Sequence, residues 1–141
     1  MWTTEHTGTS SARPEQLFAV LAAAERWPEW NDGVRRLELH GPFEAGTTAV
    51  MVLPDDTALP FRLTWVEPGA GFEDLTEVPD AGVSVRVRHE LVPEADGTRI
   101  TYRCSVEGDV PDEVAAEIGQ AVSADFADVI AALAERTEGR R

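Results

Sequence analysis

Residues 111–137 have the sequence PDEVAAEIGQAVSADFADVIAALAERT, which predicts a long amphipathic helix near the C-terminal end of the chain. Apolar side chains recur there at spacings of three and four, so they lie on one stripe of an α-helix. The stripe consists of Val114, Ile118, Val122, Phe126, Val129 and Leu133. At about 1.5 Å per residue such a helix is about 40 Å long. It is too apolar on one side to stand alone in water, so we expect the preceding residues to form a surface that it covers.

Composition is that of a single globular domain, which we assign to residues 1–141. Apolar residues make up 43% of the 141 residues, and four of them are tryptophans. That is enough to build a core, or a core with a cavity. The formal net charge is −14, which opposes binding to nucleic-acid phosphates or anionic lipid headgroups. A neutral or apolar ligand is compatible with this charge.

Several features predict a cytoplasmic protein. No run of apolar residues approaches the length of about 20 that a membrane span needs. The first residues lack a basic region followed by an apolar one, so we expect no secretory signal. Cys104 is the only cysteine, which excludes an internal disulfide and fits a reducing compartment. The sequence leaves a homodimer open as an alternative to a monomer.

The first third of the chain predicts a short strand and two short helices. Residues 2–8 are Thr-rich and indicate a strand, and Arg13-Pro14-Glu15 opens a helix that we expect to end near residue 24. A helical turn then sets Trp27 and Trp30 on the same side.

Further along, runs with strand character are separated by turn sequences, which predicts an antiparallel meander. The predicted strands are residues 34–40, 47–53, 59–66, 72–78, 83–92 and 98–106.

The last two of these strands form a hairpin with one covered face, because apolar and polar residues alternate along both. Residues 94–97 serve as the loop. Matching the apolar faces sets the register, since a slip by one residue would bring arginines inside. The register pairs Leu91 with Ile100, His89 with Tyr102 and Val87 with Cys104.

The order of these elements resembles the START-like helix-grip superfamily, also called SRPBCC, which includes polyketide cyclases, lipid-transfer domains and relatives of plant pollen allergens. The motifs that carry the resemblance are ARPEQLF at 12–18, WPEW at 27–30, GT at 46–47, VEPG at 66–69 and DGTR at 96–99. The resemblance implies an α+β helix-grip fold, in which a curved antiparallel sheet of about seven strands wraps around the C-terminal helix. It also implies a deep cavity between sheet and helix. It carries over no catalytic residues, because the superfamily shares no catalytic motif.

Sequence motifs for metal or cofactor chemistry are missing. There is no Cys-x-x-Cys, His-x-His, His-Glu-x-x-His or Gly-x-Ser-x-Gly, and no glycine-rich phosphate loop precedes a helix. We therefore expect no metal and no cofactor. Cys104 is interpreted as a small buried hydrophobe rather than a nucleophile, which would need a base beside it.

His89 and Tyr102 form the pair on which we base a functional hypothesis, because both are polar groups on an otherwise apolar face. Directly opposed residues on antiparallel strands lie close enough to touch. One interpretation is that they line the cavity and hydrogen-bond to a ligand, or transfer a proton next to a ligand carbonyl. The alternative is that they bond each other or the backbone and fill the core.

Other candidate ligand contacts are apolar or aromatic, and each has the alternative of serving only as core. They are Phe61, Leu63 and Trp65 on one strand, Val87 and Cys104 in the hairpin, Phe126 and Ile130 on the last helix, and Trp30. The face taken by Glu73 and Asp74 is left open; a carboxyl pointing inward would have a raised pKa and become an acid–base candidate.

These patterns favour a protein that binds a small hydrophobic or aromatic molecule. A second reading is a cyclase or dehydratase acting on a polyketide-like substrate, in which the cavity brings reacting carbons together. A third is an interaction module like the co-chaperone members of the superfamily, which would need an exposed apolar patch.

Overall fold

The computed structural model describes residues 1–139. Its strands are β1 (Trp2–Ser10), β2 (Arg36–Leu39), β3 (Thr48–Val52), β4 (Ala58–Glu67), β5 (Gly71–Val78), β6 (Val83–Glu94) and β7 (Gly97–Gly108). Its α-helices are α1 (Pro14–Ala22), α2 (Asp112–Ser123) and α3 (Phe126–Thr137), and short 3₁₀ helices cover Ala24–Glu29 and Pro79–Ala81. The predicted helix-grip architecture is confirmed.

All seven strands form one antiparallel sheet in the order β1-β7-β6-β5-β4-β3-β2. The predicted register of the β6–β7 hairpin is confirmed, with His89 opposite Tyr102 and the turn at Ala95 and Asp96. The first strand pairs with the last, so β1 and β2 are the two edge strands of the sheet.

The N-terminal helices lie against the sheet through large apolar side chains. Leu17 and Leu21 of α1 are fully buried, and the side chain of Gln16 accepts a hydrogen bond from the backbone N–H of Arg13, which helps to cap the helix. The predicted turn around Trp27 forms as the 3₁₀ helix, and the indole of Trp27 donates to the carbonyl of Leu21 at 2.9 Å.

The C-terminal helix is interrupted at Ala124 and Asp125, where we had predicted one continuous element. The hydroxyl of Ser123 donates to the carbonyl of Gly119 at 2.8 Å, and this back-bonding bends helices. Asp125, with φ −103° and ψ 5°, then leaves the helical geometry before α3 begins. The C-terminal helix therefore consists of two segments, α2 and α3.

The buried face of α2 differs from the predicted stripe. Ala115, Gly119 and Ser123 are buried, whereas Val114 is 37% exposed and Ile118 is only half-buried. Small residues face the sheet because the ring of Trp2 occupies the space there: a Cβ added at Gly119 would lie 2.1 Å from that ring. The large side chains of α2 are consequently displaced to its flank.

In α3 the buried side chains agree better with the predicted stripe than in α2, and they bring the helix close to β1. Phe126, Ile130 and Leu133 are buried. Ile130 packs directly on Gly8 of β1, where an added Cβ would lie 2.6 Å from its Cγ2 atom. This close approach places α3 over β1, an edge strand, and Phe126 over the neighbouring β7.

Candidate functional site

Four ring side chains cross the inner face of the sheet in register. His6 of β1 pairs with Tyr102 of β7, Tyr102 with His89 of β6, and His89 with Phe72 of β5. They point toward the helices, because the residues two places along β6 and β7 belong to the core and directly paired residues of neighbouring strands share a face. We call His6, Tyr102, His89 and Phe72 the ring row.

The ring row is packed edge to face and capped by the C-terminal helix. The rings of Phe72 and His89 stack with centroids 3.9 Å apart, and Tyr102 meets His89 edge-on at 4.4 Å. Phe126 at the start of α3 lies 5.6 Å from Tyr102 and 5.9 Å from His6. At this level the space between sheet and helix is filled by aromatic rings, where a deep cavity had been expected.

His89 is a neutral imidazole with a defined tautomer. Its Nδ1 lies 3.2 Å from the carbonyl oxygen of Phe72, and since a carbonyl only accepts, Nδ1 carries the proton. Burial lowers the pKa of His89 to about 3, because a charged imidazole is disfavoured in an apolar surrounding. Its Nε2 is left as a hydrogen-bond acceptor.

Tyr102 keeps its phenolic proton and has no hydrogen-bond partner among residues 1–139. Burial raises its pKa, and the charges of Asp74 and Asp125 raise it further. The hydroxyl is therefore a donor available to another molecule.

Asp74 is the functional candidate that sequence reasoning left unassigned. It lies between Leu63 of β4 and Val87 of β6, both buried on the inner face, so its carboxyl points inward. Burial, and then the charge of Glu73, raise its pKa to about 7. Its side chain is half-buried and makes no hydrogen bond within the described part of the chain. Asp74 is thus an inward acid that is half protonated near neutral pH.

Glu73, the other acid left open, takes the opposite face. Its carboxylate accepts hydrogen bonds from Arg86 at 2.8 Å, Thr64 at 2.9 Å and Arg88 at 3.3 Å. Burial opposes ionisation, but these hydrogen bonds outweigh it and lower the pKa of Glu73. It stabilises the outer face and takes no part in the inner one.

Trp65 does not lie on the inner face, so its predicted placement beside Phe61 and Leu63 is wrong. A β-bulge shifts the register between Leu63 and Trp65, and one extra residue turns every following side chain to the other face. Trp65 pairs with Glu73 on the outside, where the guanidinium of Arg88 sits 4.0 Å from the centroid of its indole.

The other predicted contacts are buried in the core of the molecule. Phe61, Leu63 and Val87 line the inner face, whereas Phe126 and Ile130 on α3 lie over Tyr102 of β7 and Gly8 of β1. The structure thus brings these residues to the same layer as His89 and Tyr102.

Cys104 lies next to Val87 on the same face. Burial, and then the charge of Asp74, raise the pKa of the Cys104 thiol to about 11. The sulfur therefore stays protonated, in agreement with the interpretation as a small hydrophobe.

Trp30 lies apart from the ring row, in a surface groove between the loop after the first 3₁₀ helix and α3. The groove has a volume of about 420 Å³ and is also lined by Gly33, Asp125 and Asp128. The indole Nε1 of Trp30 is buried without a partner among the described residues. A second groove of about 520 Å³ lies beside the β6–β7 turn, between Ser10, Gly97 and Glu138.

Two inner-face residues carried little sequence signal. His6 was given no role because it lies near the end of its predicted strand, yet its Nδ1 is buried and unpartnered within residues 1–139. The inward direction of Asp74 follows from the pairing of Phe72 with His89, because alternate residues of a strand share a face and Asp74 is two residues from Phe72.

A family model described as "Polyketide cyclase / dehydrase and lipid transport" matches residues 1–138. The chain belongs to this family. A search of curated protein sequences gives no match. No helix within residues 1–139 is long and apolar enough to cross a membrane.

Solved structures of other proteins share the fold of this polyketide cyclase/dehydrase family member. Norcoclaurine synthase from Thalictrum flavum, in complex with dopamine and hydroxybenzaldehyde, has a TM-score of 0.78 at 15% identity, covering 99% of this chain and 88% of that one. Ara h 8.0201 has a TM-score of 0.77 at 17% identity, with 98% of both chains covered. The di-domain ARO/CYC protein StfQ of the steffimycin biosynthetic pathway has a TM-score of 0.78 at 16% identity. The match covers 98% of this chain and 51% of StfQ.

Proposed function

We propose that this protein binds a small, predominantly apolar molecule on the inner face of its sheet, with Tyr102 and Asp74 hydrogen-bonding to the ligand's polar end. The observation that carries the proposal is the inward carboxyl of Asp74, which stands without a partner among residues 1–139 beside an apolar surface. A desolvated polar group that lacks a partner costs about 1–3 kcal/mol. A ligand that supplies the missing hydrogen bonds removes that cost.

The apolar part of such a ligand has a surface to contact further along β4 from Leu63, the strand partner of Asp74. Met51 of β3 pairs with Leu59 of β4, two positions from the buried pair Ala49 and Phe61, so both lie on the inner face. Both side chains are only half-buried. The inner face thus runs from the filled ring row, past Asp74, to apolar side chains that are still accessible.

The family supports the binding of a hydrophobic ligand in general, since its description names polyketide cyclases, dehydrases and lipid transport. The structural neighbours are below 25% identity to this chain, and they support the fold alone.

The proposal is tested with two neutral probes, naphthylethanol and dodecanol, by isothermal titration calorimetry, together with native mass spectrometry of freshly purified protein. We expect at least one probe to bind with a Kd below about 100 μM, which corresponds to about −5.5 kcal/mol. Tyr102→Phe should weaken that binding about 2- to 10-fold, the effect of one neutral hydrogen bond. No binding of either probe and no co-purified molecule would overturn the proposal.

A second candidate, a cyclase- or dehydratase-type enzyme, is favoured by one specific observation. Asp74, whose pKa is about 7, lies near Tyr102, whose hydroxyl stays protonated. One group accepts a proton near neutral pH and the other donates a hydrogen bond, which suits proton transfer next to a carbonyl. Turnover of a poly-β-keto mimic that is lost in Asp74→Asn supports this candidate, and absence of turnover in the unmodified protein rejects it.

The interaction-module alternative has no comparable support. The exposed large hydrophobic residues within residues 1–139 are Met1 before β1, Val92 on β6 and Val114 on α2. Cytoplasmic location, a single domain over residues 1–141, a homodimer, and the absence of metal, cofactor and nucleic acid stay predictions of the sequence.

A further inference from the structure

The carboxylate of Asp74 lies on the inner layer of the sheet, close to Tyr102. Asp74 belongs to the row Cys104–Val87–Asp74, one step along the strands from the ring row that contains Tyr102. Its charge adds to the effect of burial in raising the pKa of Tyr102. Asp125 is exposed instead, and it lines the surface groove with Trp30 and Gly33.

No arginine of residues 1–139 offsets the charge of Asp74 from the inner face. The chain has no lysine and twelve arginines. Those on β6 and β7 point outward and pair there, Arg86 and Arg88 with Glu73, and Arg103 with Glu90 and Glu5. Arg62 alternates with the buried Phe61 and Leu63 and is exposed.

The remaining inward titratable groups do not reverse the balance. His89 is neutral, because burial lowers its pKa to about 3. His6 contributes an imidazole whose Nδ1 is buried and unpartnered within the described residues. The N-terminus of α3 faces the same layer, but a helix dipole amounts to about half a positive charge, and Asp125 at its N-cap carries a full negative one.

From this arrangement we infer that the inner-face site selects ligands that carry a protonated amine, next to an apolar body, over ligands that carry a carboxylate or phosphate. The inference rests on the proposed function and names the ligand class of the same site. An ammonium group donates up to three hydrogen bonds and cancels the charge of Asp74. An anionic group would meet Asp74 in a partly desolvated setting with no opposing cation, where repulsion is poorly screened.

The inference is tested with three probes that share a naphthalene body and differ in charge: naphthylethylamine, naphthylethanol and naphthylacetate. Affinities are measured by calorimetry at pH 8, where Asp74 is largely ionised, and at about 0.15 M salt to screen the surface charge of the whole protein. We expect the amine to bind at least tenfold more tightly than the acetate. In Asp74→Asn the ratio should fall at least tenfold.

Asp96→Asn is the matched control, because it removes one negative charge from the exposed hairpin turn. It should leave the amine-to-acetate ratio unchanged. Equal affinity for the amine and the acetate in the unmodified protein, or equal loss of the ratio in the two variants, would overturn the inference. Binding of naphthylethanol without a preference for the amine overturns the charge selection alone, whereas no binding by any probe overturns the proposed function as well.

Discussion

His89 stacks on Phe72 with ring centroids 3.9 Å apart and also donates through Nδ1 to the carbonyl oxygen of Phe72 at 3.2 Å. The two residues are directly paired on β6 and β5. One contact fixes the ring plane and the other fixes the tautomer, so the imidazole is held as a neutral group whose Nε2 accepts.

This relationship predicts that His89 stays uncharged across the physiological pH range. Its pKa is lowered to about 3 by burial, so its ring nitrogens should keep the shifts of the Nδ1-protonated tautomer from pH 8 down to about 5. Long-range ¹H–¹⁵N NMR measures this directly, with the exposed His40 as a reference signal from the same sample. A His89 titration midpoint above about pH 5 would contradict the assignment.

Asp74 should make the protein less stable as pH rises. Its pKa is raised from 3.8 to about 7 in the folded state, so between these values the folded chain holds a proton that the unfolded chain has lost. The free energy of unfolding therefore falls across that window, and the full cost is present above it. We expect Asp74→Asn to be about 1–3 kcal/mol more stable than the unmodified protein at pH 8.

At about pH 3.5 the difference between the two proteins should vanish, because both the folded and the unfolded carboxyl are then largely protonated. Urea denaturation at the two pH values measures it. Glu73 has a lowered pKa, so its effect on the pH dependence of stability is opposite to that of Asp74. Both proteins contain Glu73, and its effect therefore cancels when they are compared. An Asp74→Asn variant that is no more stable at pH 8 than at pH 3.5, relative to the unmodified protein, would show that Asp74 is not desolvated.

Gly119→Ala should destabilise the protein although alanine is the better helix former. The added methyl would lie 2.1 Å from the ring of Trp2, and overpacking of this kind costs about 1–3 kcal/mol. The gain in helix propensity is at most about 1 kcal/mol. In a Trp2→Ala background the same change should become neutral or stabilising, and a double-mutant cycle from urea denaturation gives the coupling. Equal effects in both backgrounds would exclude the contact.

Trp65→Thr should leave ligand binding intact, because Trp65 lies outside the sheet under Arg88. The stability loss should be about 0.5–1 kcal/mol, the size of an exposed cation–π contact. Phe61→Leu, a change on the inner face, serves as the comparison and should weaken binding of naphthylethanol. A Trp65→Thr variant that loses as much affinity as Phe61→Leu would place the indole at the ligand after all.

Local patterns were sufficient for the architecture and for the hairpin at its centre. Alternation along β6 and β7 places His89 opposite Tyr102 without further information, because the period of a strand is two and only one register buries the apolar set. The buried stripe on α3 was also predictable, because large apolar side chains recur there at helical spacing and face the sheet.

Tertiary structure alone decided the remaining features. The bulge that turns Trp65 outward depends on how β4 pairs with β5, and the alternation of β4 by itself does not reveal it. The small-residue face of α2 depends on Trp2, which is distant in sequence. The inward direction of Asp74 follows from its two strand partners. Sequence periodicity determines which side chains share a face. Long-range pairing decides which face is covered and which charges meet there. The reason is that burial and electrostatic interaction depend on neighbours that the chain brings together only on folding.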